Sequence, residues 1–362
     1  MTKLYSLNTP FQLKGLSLKN RVVMPPMCQY SATNGIANEW HYTHYASRAV
    51  GGVGFIIVEM TSVAENGRIS PNCLGLWNDE QRDAFKPIVK AIHAHDSKAA
   101  IQIAHSGRKA LGEKNVVSSS PMPYDGDADA GDGKWQYQTP KELSKSEILD
   151  LVQAFQNTAK RAIEAGFDAI ELHGAHGYLI HQFHSPKMNL RTDEYGQDKF
   201  LFGKQIIKAV KEVMPKDMPL LIRISAQEFG SNGYDLSYGC EIAKHYVDAG
   251  VDMVHVSGGG DDKLDNNHRP SFHAGYQVYL AKGIKQAVNV PVIAVGKLED
   301  PELADYVLNS GDADLVAIGR GLLRDPYWVL NAQYAHNAAN EPVQFVPTPY
   351  QTTLSLETNK KK

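Results

Sequence analysis

The chain has 362 residues, 43% of them hydrophobic and 21% charged, with a formal net charge of -3. That balance gives ample core for two average domains or one large barrel, and it excludes nucleic acid as a partner, because the one long cationic run is the terminal Lys360-Lys361-Lys362. Cys28, Cys73 and Cys240 are too sparse for a CxxC ligand set, an iron–sulfur cluster or a disulfide framework, and apolar runs such as Phe55-Ile56-Ile57-Val58 are too short to span a bilayer or form a signal-peptide core, so a reducing, cytoplasmic setting without membrane contact is expected.

Short apolar runs recur along the chain and alternate with helical patterns. They predict strands at Arg21–Val23, Gly54–Val58, Ala99–Ile103, Ala169–Leu172, Leu220–Ile224, Met253–Val256, Val292–Val295 and Leu315–Ile318. Runs that are continuously apolar imply a parallel sheet covered on both faces. The clearest helix spans Ser146–Glu164, with Ile148, Leu151, Val152, Phe155, Ala159, Ala162 and Ile163 at helical spacing. Ser144 and Glu147 form a capping box ahead of it, and Gly166 stops it. Further helices are expected at Asp79–His95, Leu201–Val213, Ser237–Ala249, Gly275–Val288 and Asp300–Asn309.

Two phrases, Ala165-Gly166-Phe167-Asp168-Ala169 and Ala249-Gly250-Val251-Asp252-Met253, repeat one helix–Gly–Asp–strand transition, and Ser310-Gly311-Asp312-Ala313-Asp314 is a third version. Successive βα units of this kind predict a single (β/α)₈ TIM barrel over residues 1–362. The rival, a doubly wound sheet, lacks a GxGxxG after the first strand. The stretch Ser106 to Thr139, rich in Gly, Ser, Pro and Asp with Trp135 and Tyr137 near its end, reads as an insertion after the third strand that folds over the catalytic face as a partial lid. The tail begins near residue 340.

Barrel active sites sit at the C-terminal ends of the strands. The first strand delivers Pro25-Pro26-Met27-Cys28-Gln29-Tyr30, and the second Glu59-Met60-Thr61. Gln102 and His105 follow from the third, then His173, His176 and Tyr178 on a turn loosened by Gly174 and Gly177. Arg223 and Ser225 mark the fifth strand, Ser257-Gly258-Gly259-Gly260 the sixth, Gly296-Lys297 the seventh and Gly319-Arg320 the eighth. Two imidazoles and a phenol so spaced suit holding a carbonyl oxygen while a proton arrives nearby. With His181 and His184 they also suit a metal, and they could simply cap a strand. Glycine followed by a cation after the seventh and eighth strands is where barrels bind phosphate. Arg223 inside an apolar run needs an anionic partner, either an internal carboxylate or a cofactor with delocalised negative charge. Together with Gln102 these features describe flavin mononucleotide, level with a sugar phosphate on the residues alone.

Several motifs resemble the old yellow enzymes, FMN-dependent ene reductases, and most closely their thermophilic-like bacterial subclass. They include Leu18-Lys19-Asn20-Arg21-Val22-Val23-Met24-Pro25-Pro26-Met27 with Cys28 and Tyr30, then Gln102 with His105-Ser106-Gly107-Arg108-Lys109. The most specific is His173-Gly174-Ala175-His176-Gly177-Tyr178-Leu179 with Asn189-Leu190-Arg191-Thr192-Asp193-Glu194-Tyr195-Gly196; Gly319-Arg320 followed by Asp325-Pro326 completes the set. The resemblance implies non-covalent FMN, NAD(P)H as reductant, an enone or nitro compound as substrate, and no metal. It implies that Pro26, Met27, Cys28, Met60, Gln102 and Arg223 line the flavin ring, with Cys28 modulating its potential. Ser257, Gly258, Gly259, Gly296, Lys297, Gly319 and Arg320 would hold the phosphate. His173 and His176 would bind the substrate oxygen, Tyr178 would donate the proton and Tyr30 would contact substrate. Many members of the subclass lend an arginine from the tail across a dimer interface. Val343 to Tyr350 contains none, which argues against a site completed by a neighbouring subunit and leaves a homo-oligomer open.

Overall fold

The computed structural model describes residues 6–126, 136–260, 270–336 and 343–352. Trp135 and part of the expected tail lie outside them. Eight strands form a closed parallel barrel: β1 (Val22–Met24), β2 (Phe55–Ser62), β3 (Lys98–Ala104), β4 (Ala169–Gly174), β5 (Leu220–Ser225), β6 (Met253–Ser257), β7 (Val292–Ala294) and β8 (Leu315–Ala317). Each pairs in order with the next, and β8 pairs with β1. All eight predicted strands are present. The helix Lys145–Ala165 carries both halves of the Ser144 capping box and ends on Gly166 at φ 95°. Leu201–Val213 has the predicted bounds, while the helix expected from Gly275 begins at Val278.

Alternation along the strands sorts side chains into two cores. One parity, including Ile56, Val58, Ile101, Ile170, Ile222, Val254 and Val316, packs outward against the helices. The other fills the barrel. Its floor is apolar: Val23, Phe55, Ile57, Ala100, Ala169, Leu221, Met253, Ile293 and Leu315, closed by Leu16 and Leu18. Those two leucines come from an antiparallel hairpin, Phe11–Leu13 with Leu16–Leu18, that the periodicity did not indicate. Above the floor the same parity turns polar, and register sets Gln102 beside Glu171 and Arg223 beside both His173 and His255.

The three repeated phrases share one function in the fold. Asp168 accepts the Ala99 N–H (2.8 Å), Asp252 the Leu220 N–H (2.9 Å) and Asp314 the Val292 N–H (2.8 Å). Each carboxylate thus fastens the start of one strand from the residue just before the next. Lysines neutralise them: Lys98 at Asp168, Lys14 and Lys211 at Asp252, Lys285 at Asp314.

The helix Glu39–Val50 was not predicted, because the face it buries is His41, His44, Tyr45, Arg48 and Ala49 rather than an apolar stripe. Among the described residues no helix is long and apolar enough to cross a membrane. The end of that helix meets the chain beyond β8 very closely: a Cβ on Gly51 would lie 1.9 Å from the Pro326 carbonyl oxygen. Gly51→Ala should therefore force a backbone shift and lower unfolding stability by about 1–3 kcal/mol, measured by denaturant titration.

Candidate active site

β4 ends at Gly174 and the helix Leu179–His184 begins four residues after Ala175. Between them His176 and Gly177 both take left-handed backbone, at φ 58° and 71°. Such a conformation is costly for histidine and persists only where neighbours enforce it. Here the His176 N–H donates to Ser225 Oγ (3.0 Å), and Lys109 Nζ donates to His176 O (3.2 Å) and to Gly260 O (3.1 Å). Ser225 Oγ in turn donates to Gly259 O (2.7 Å).

This turn brings three rings together. The His173 ring centroid lies 4.8 Å from that of Tyr178 and 5.2 Å from that of His176, both near perpendicular. Ala175 N–H donates to His173 Nδ1 (3.2 Å), which leaves Nε2–H as that ring's donor. His176 Nε2 lies 2.8 Å from Ser257 Oγ. Burial, and then the Arg223 charge, hold both imidazoles well below their usual pKa and so keep them neutral. Burial pushes the Tyr178 phenol well up, and Cys28, Tyr30, Cys73 and Tyr137 push it further, so it keeps its proton. Two neutral donors beside a protonated phenol can grip an oxygen on which negative charge develops and supply a proton close by. His181 and His184 do not join them. Both turn into the protein, where His181 meets Glu228 and His184 Nδ1 meets Tyr246 Oη (2.9 Å).

Below the rings, Arg223 is only 9% exposed, its Nε has no partner, and it forms no ion pair among the described residues. The internal carboxylate in its field, Glu171, is engaged elsewhere: Oε1 accepts from Gln102 Nε2 and Oε2 bonds His255 Nδ1, each at 2.8 Å. Holding one N–H of Gln102 fixes which way its amide faces. A buried cation lacking a counter-ion among the described residues, with an oriented amide two strands away in the same layer, fits the anionic, amide-like edge of a flavin ring. Glu171 and His255 complete this layer; their strand parity, shared with His173 and Arg223, was the sequence signal for them.

At the rim, Gly259 and Gly260 (φ 72° and 84°) follow β6, and Gly296 and Lys297 (φ 127° and 53°) follow β7. Beyond β8, Gly319 precedes a short helix, Arg320–Arg324, whose start has no side-chain cap. A Cβ on Gly319 would meet nothing nearer than Met27 Sδ at 3.6 Å. Gly258, Gly259, Gly296, Lys297, Gly319 and Arg320 thus occupy adjacent strand ends, a cradle that fits a phosphate, with Arg320 exposed. Ser257, expected among them, ends β6 beside this cradle, and its hydroxyl lies 2.8 Å from His176 Nε2.

Met60 reaches the site through an irregularity. By alternation it belongs to the outward set, but the β2–β3 register slips between Val58 and Thr61. That bulge turns Met60 into an apolar cluster with Ile69, Cys73, Ala104 and Leu111, against which Cys28, Tyr137 and Tyr178 pack. Cys28 and Cys73, remote in sequence, are therefore neighbours, and both thiols are free. Tyr137 also carries the described end of the insertion onto this cluster, and Tyr124 from its other end meets Lys109 Nζ at 4.3 Å from the ring centroid. Pro26 is buried and Met27 half-buried, while Tyr30 (38% exposed, φ 50°) stands at the mouth.

The same bulge sends Glu59 outward, where it accepts the Gln29 N–H (2.7 Å) and the Tyr45 hydroxyl (3.1 Å). It thereby anchors the segment that carries Cys28 and Tyr30.

The model of the NADH:flavin oxidoreductase / NADH oxidase family matches residues 6–339. The NADPH dehydrogenase of Clostridium acetobutylicum is 44% identical over 351 residues, covering 95% of this chain and 98% of that protein. The NADPH dehydrogenase of a Geobacillus species is 42% identical over 89% of this chain and 92% of that protein. Among solved structures, morphinone reductase in complex with tetrahydroNAD superposes with a TM-score of 0.78 at 26% identity, covering 94% of each chain.

Burial raises the Glu59 carboxyl from 4.5 to about 8, so the folded protein holds a proton there that the unfolded chain releases. That contribution to stability is complete below pH 4.5 and is lost as pH rises towards 8. Unfolding titrations across this range should show the wild type losing stability relative to Glu59→Gln, with the gap levelling off above about pH 8.

Proposed function

Because the chain belongs to the NADH:flavin oxidoreductase / NADH oxidase family, the old yellow enzymes, and is an oxidoreductase working with FMN and NAD(P)H, we propose that it is an ene reductase. Its substrates are α,β-unsaturated carbonyl or nitro compounds. Within the family we assign it to the thermophilic-like bacterial subclass, on Cys28 and Tyr30 after the first strand, and to the cytoplasm, on its three free cysteines. The chain acts as one FMN-binding barrel, with Tyr124 and Tyr137 from the described ends of the insertion beside its mouth.

The observation that carries the reading is the convergence of His173, His176 and Tyr178 above an Arg223 that forms no ion pair among the described residues. When bound, FMN would supply hydride transfer from NAD(P)H to the substrate's β-carbon. Arg223 and Gln102 would hold the pyrimidine edge of the ring, with Pro26, Met27, Cys28 and Met60 lining it. Cys28 tunes the flavin's potential. The glycines after β6, β7 and β8, with Lys297, Arg320 and Ser257, hold the phosphate end.

His173 and His176 grip the oxygen of the substrate's activating group. Being neutral, they stabilise growing charge there by hydrogen bonding, worth about 2.7–4 kcal/mol per donor in comparable sites. Tyr178, which burial keeps protonated, delivers the proton to the α-carbon. Tyr30 contacts substrate at the mouth.

Purified protein should absorb in the visible blue and release FMN on denaturation. It should also consume NADPH steadily with an enone. His173→Ala should lower enone turnover by about 10²–10³-fold while retaining FMN. Tyr178→Phe should slow the enone half-reaction and leave flavin reduction by NADPH nearly intact; equal slowing of both would remove Tyr178 from its assigned role.

A further inference from the structure

His176 and Tyr178 are joined through Gly177, and both polar groups of that residue are held by side chains. Its N–H donates to His181 Nδ1 (2.9 Å), and its carbonyl accepts from Gln182 Nε2 (2.7 Å). Both partners belong to the helix Leu179–His184, which follows the turn and reaches back over it. Gln182 uses its other positions to tie down the surroundings: its amide also donates to Ser106 O and accepts from Ser118 Oγ.

His181 can accept at Nδ1 only while that nitrogen is bare, which puts the ring's proton on Nε2. There Glu228 Oε1 receives it at 3.0 Å. The carboxylate is itself fixed, accepting from Ser185 Oγ at Oε1 (2.6 Å) and from Tyr234 N–H at Oε2 (3.2 Å). Tyr234 Oη also lies 3.1 Å from His181 Nε2 and donates to Ser225 O (2.6 Å). Ser225 is the residue whose hydroxyl takes the His176 N–H. The couple thus grips the turn at Gly177 directly and at His176 through β5. All of these groups are buried, and a left-handed His176–Gly177 pair has no intrinsic preference for the shape it holds.

We propose that His181 and Glu228 are positioning residues: a tautomer-fixed couple that holds Gly177 and so sets where His176 and Tyr178 stand towards the substrate. This rests on the ene-reductase reading of the same turn.

The test uses FMN-loaded wild type, His181→Leu, His181→Asn and Glu228→Gln. The probe is 4-hydroxybenzaldehyde, an aromatic that offers an oxygen to the imidazoles and is not reduced, titrated against the flavin absorption. His181→Leu should weaken probe binding and slow the enone half-reaction at least tenfold, with flavin reduction by NADPH within twofold of wild type. His181→Asn, whose Oδ1 takes the place of Nδ1, should recover most of the probe affinity. Glu228→Gln should fall between. Wild-type behaviour in His181→Leu, or equal loss of the probe in the Leu and Asn variants, would overturn the couple.

If His181→Leu does not fold, Glu228→Gln decides: wild-type probe affinity and enone rate there would overturn the proposal. Independently of substrate, ¹⁵N-histidine spectra should show His181, assigned by its loss in His181→Asn, with Nε2 protonated and Nδ1 bare; the reverse tautomer overturns the couple. A wild type that has this tautomer and is reduced by NADPH, but neither binds the probe nor reduces enones, would instead count against the ene-reductase reading.

Discussion

A guanidinium inside the barrel with no counter-ion among the described residues is the constraint on which the rest depends. An uncompensated buried charge costs roughly 3–5 kcal/mol, and Arg223 cannot shed its proton to escape that cost. The carboxylate in its field among the described residues, Glu171, is already shared between Gln102 and His255. The site is therefore built to be completed by an anion, and family membership supplies one in FMN. The same charge acts on the layer above. With burial as the larger cause, it opposes protonation of His173 and His176, so both rings stay neutral donors when a substrate oxygen arrives.

The second constraint is conformational. Placing two imidazoles and a phenol around one point within six residues needs a turn tighter than ordinary loop geometry gives. The chain meets it with two successive left-handed residues, and the helix after them fastens the second of these through side chains rather than a backbone ladder. Lys109 and Ser225 hold the first from β3's exit and from β5. Three parts of the barrel thus converge on a stretch of backbone that would otherwise relax.

Much of this was legible in the sequence. Continuous β-branched runs located all eight strands, and a cation within one of them marked Arg223. The spacing of His173, His176 and Tyr178 marked the turn. What escaped reading had physical reasons. The helix Glu39–Val50 buries imidazoles and an arginine, so no apolar period announces it. Met60 and Glu59 exchange faces because of one extra residue in β2, and a bulge leaves no signature in the local composition. Cys28 and Cys73 looked unrelated because they follow different strands and meet only in the folded barrel. Lys109 lay inside a recognisable motif, but its contacts with His176 and Gly260 are tertiary and only the fold reveals them.

The aspartates at the far end of the barrel have a consequence of another kind. Each binds a strand to the connection that leads into its successor, so β3 with β4, β5 with β6 and β7 with β8 are fastened two at a time. Recombination between genes for related barrels, with crossovers in 175–219 or 258–291, would pass whole fastened pairs from parent to parent. Crossovers inside a pair would divide a carboxylate from the amide it serves. The architecture favours inheritance by fastened pairs of strands, each carrying its share of rim and base together.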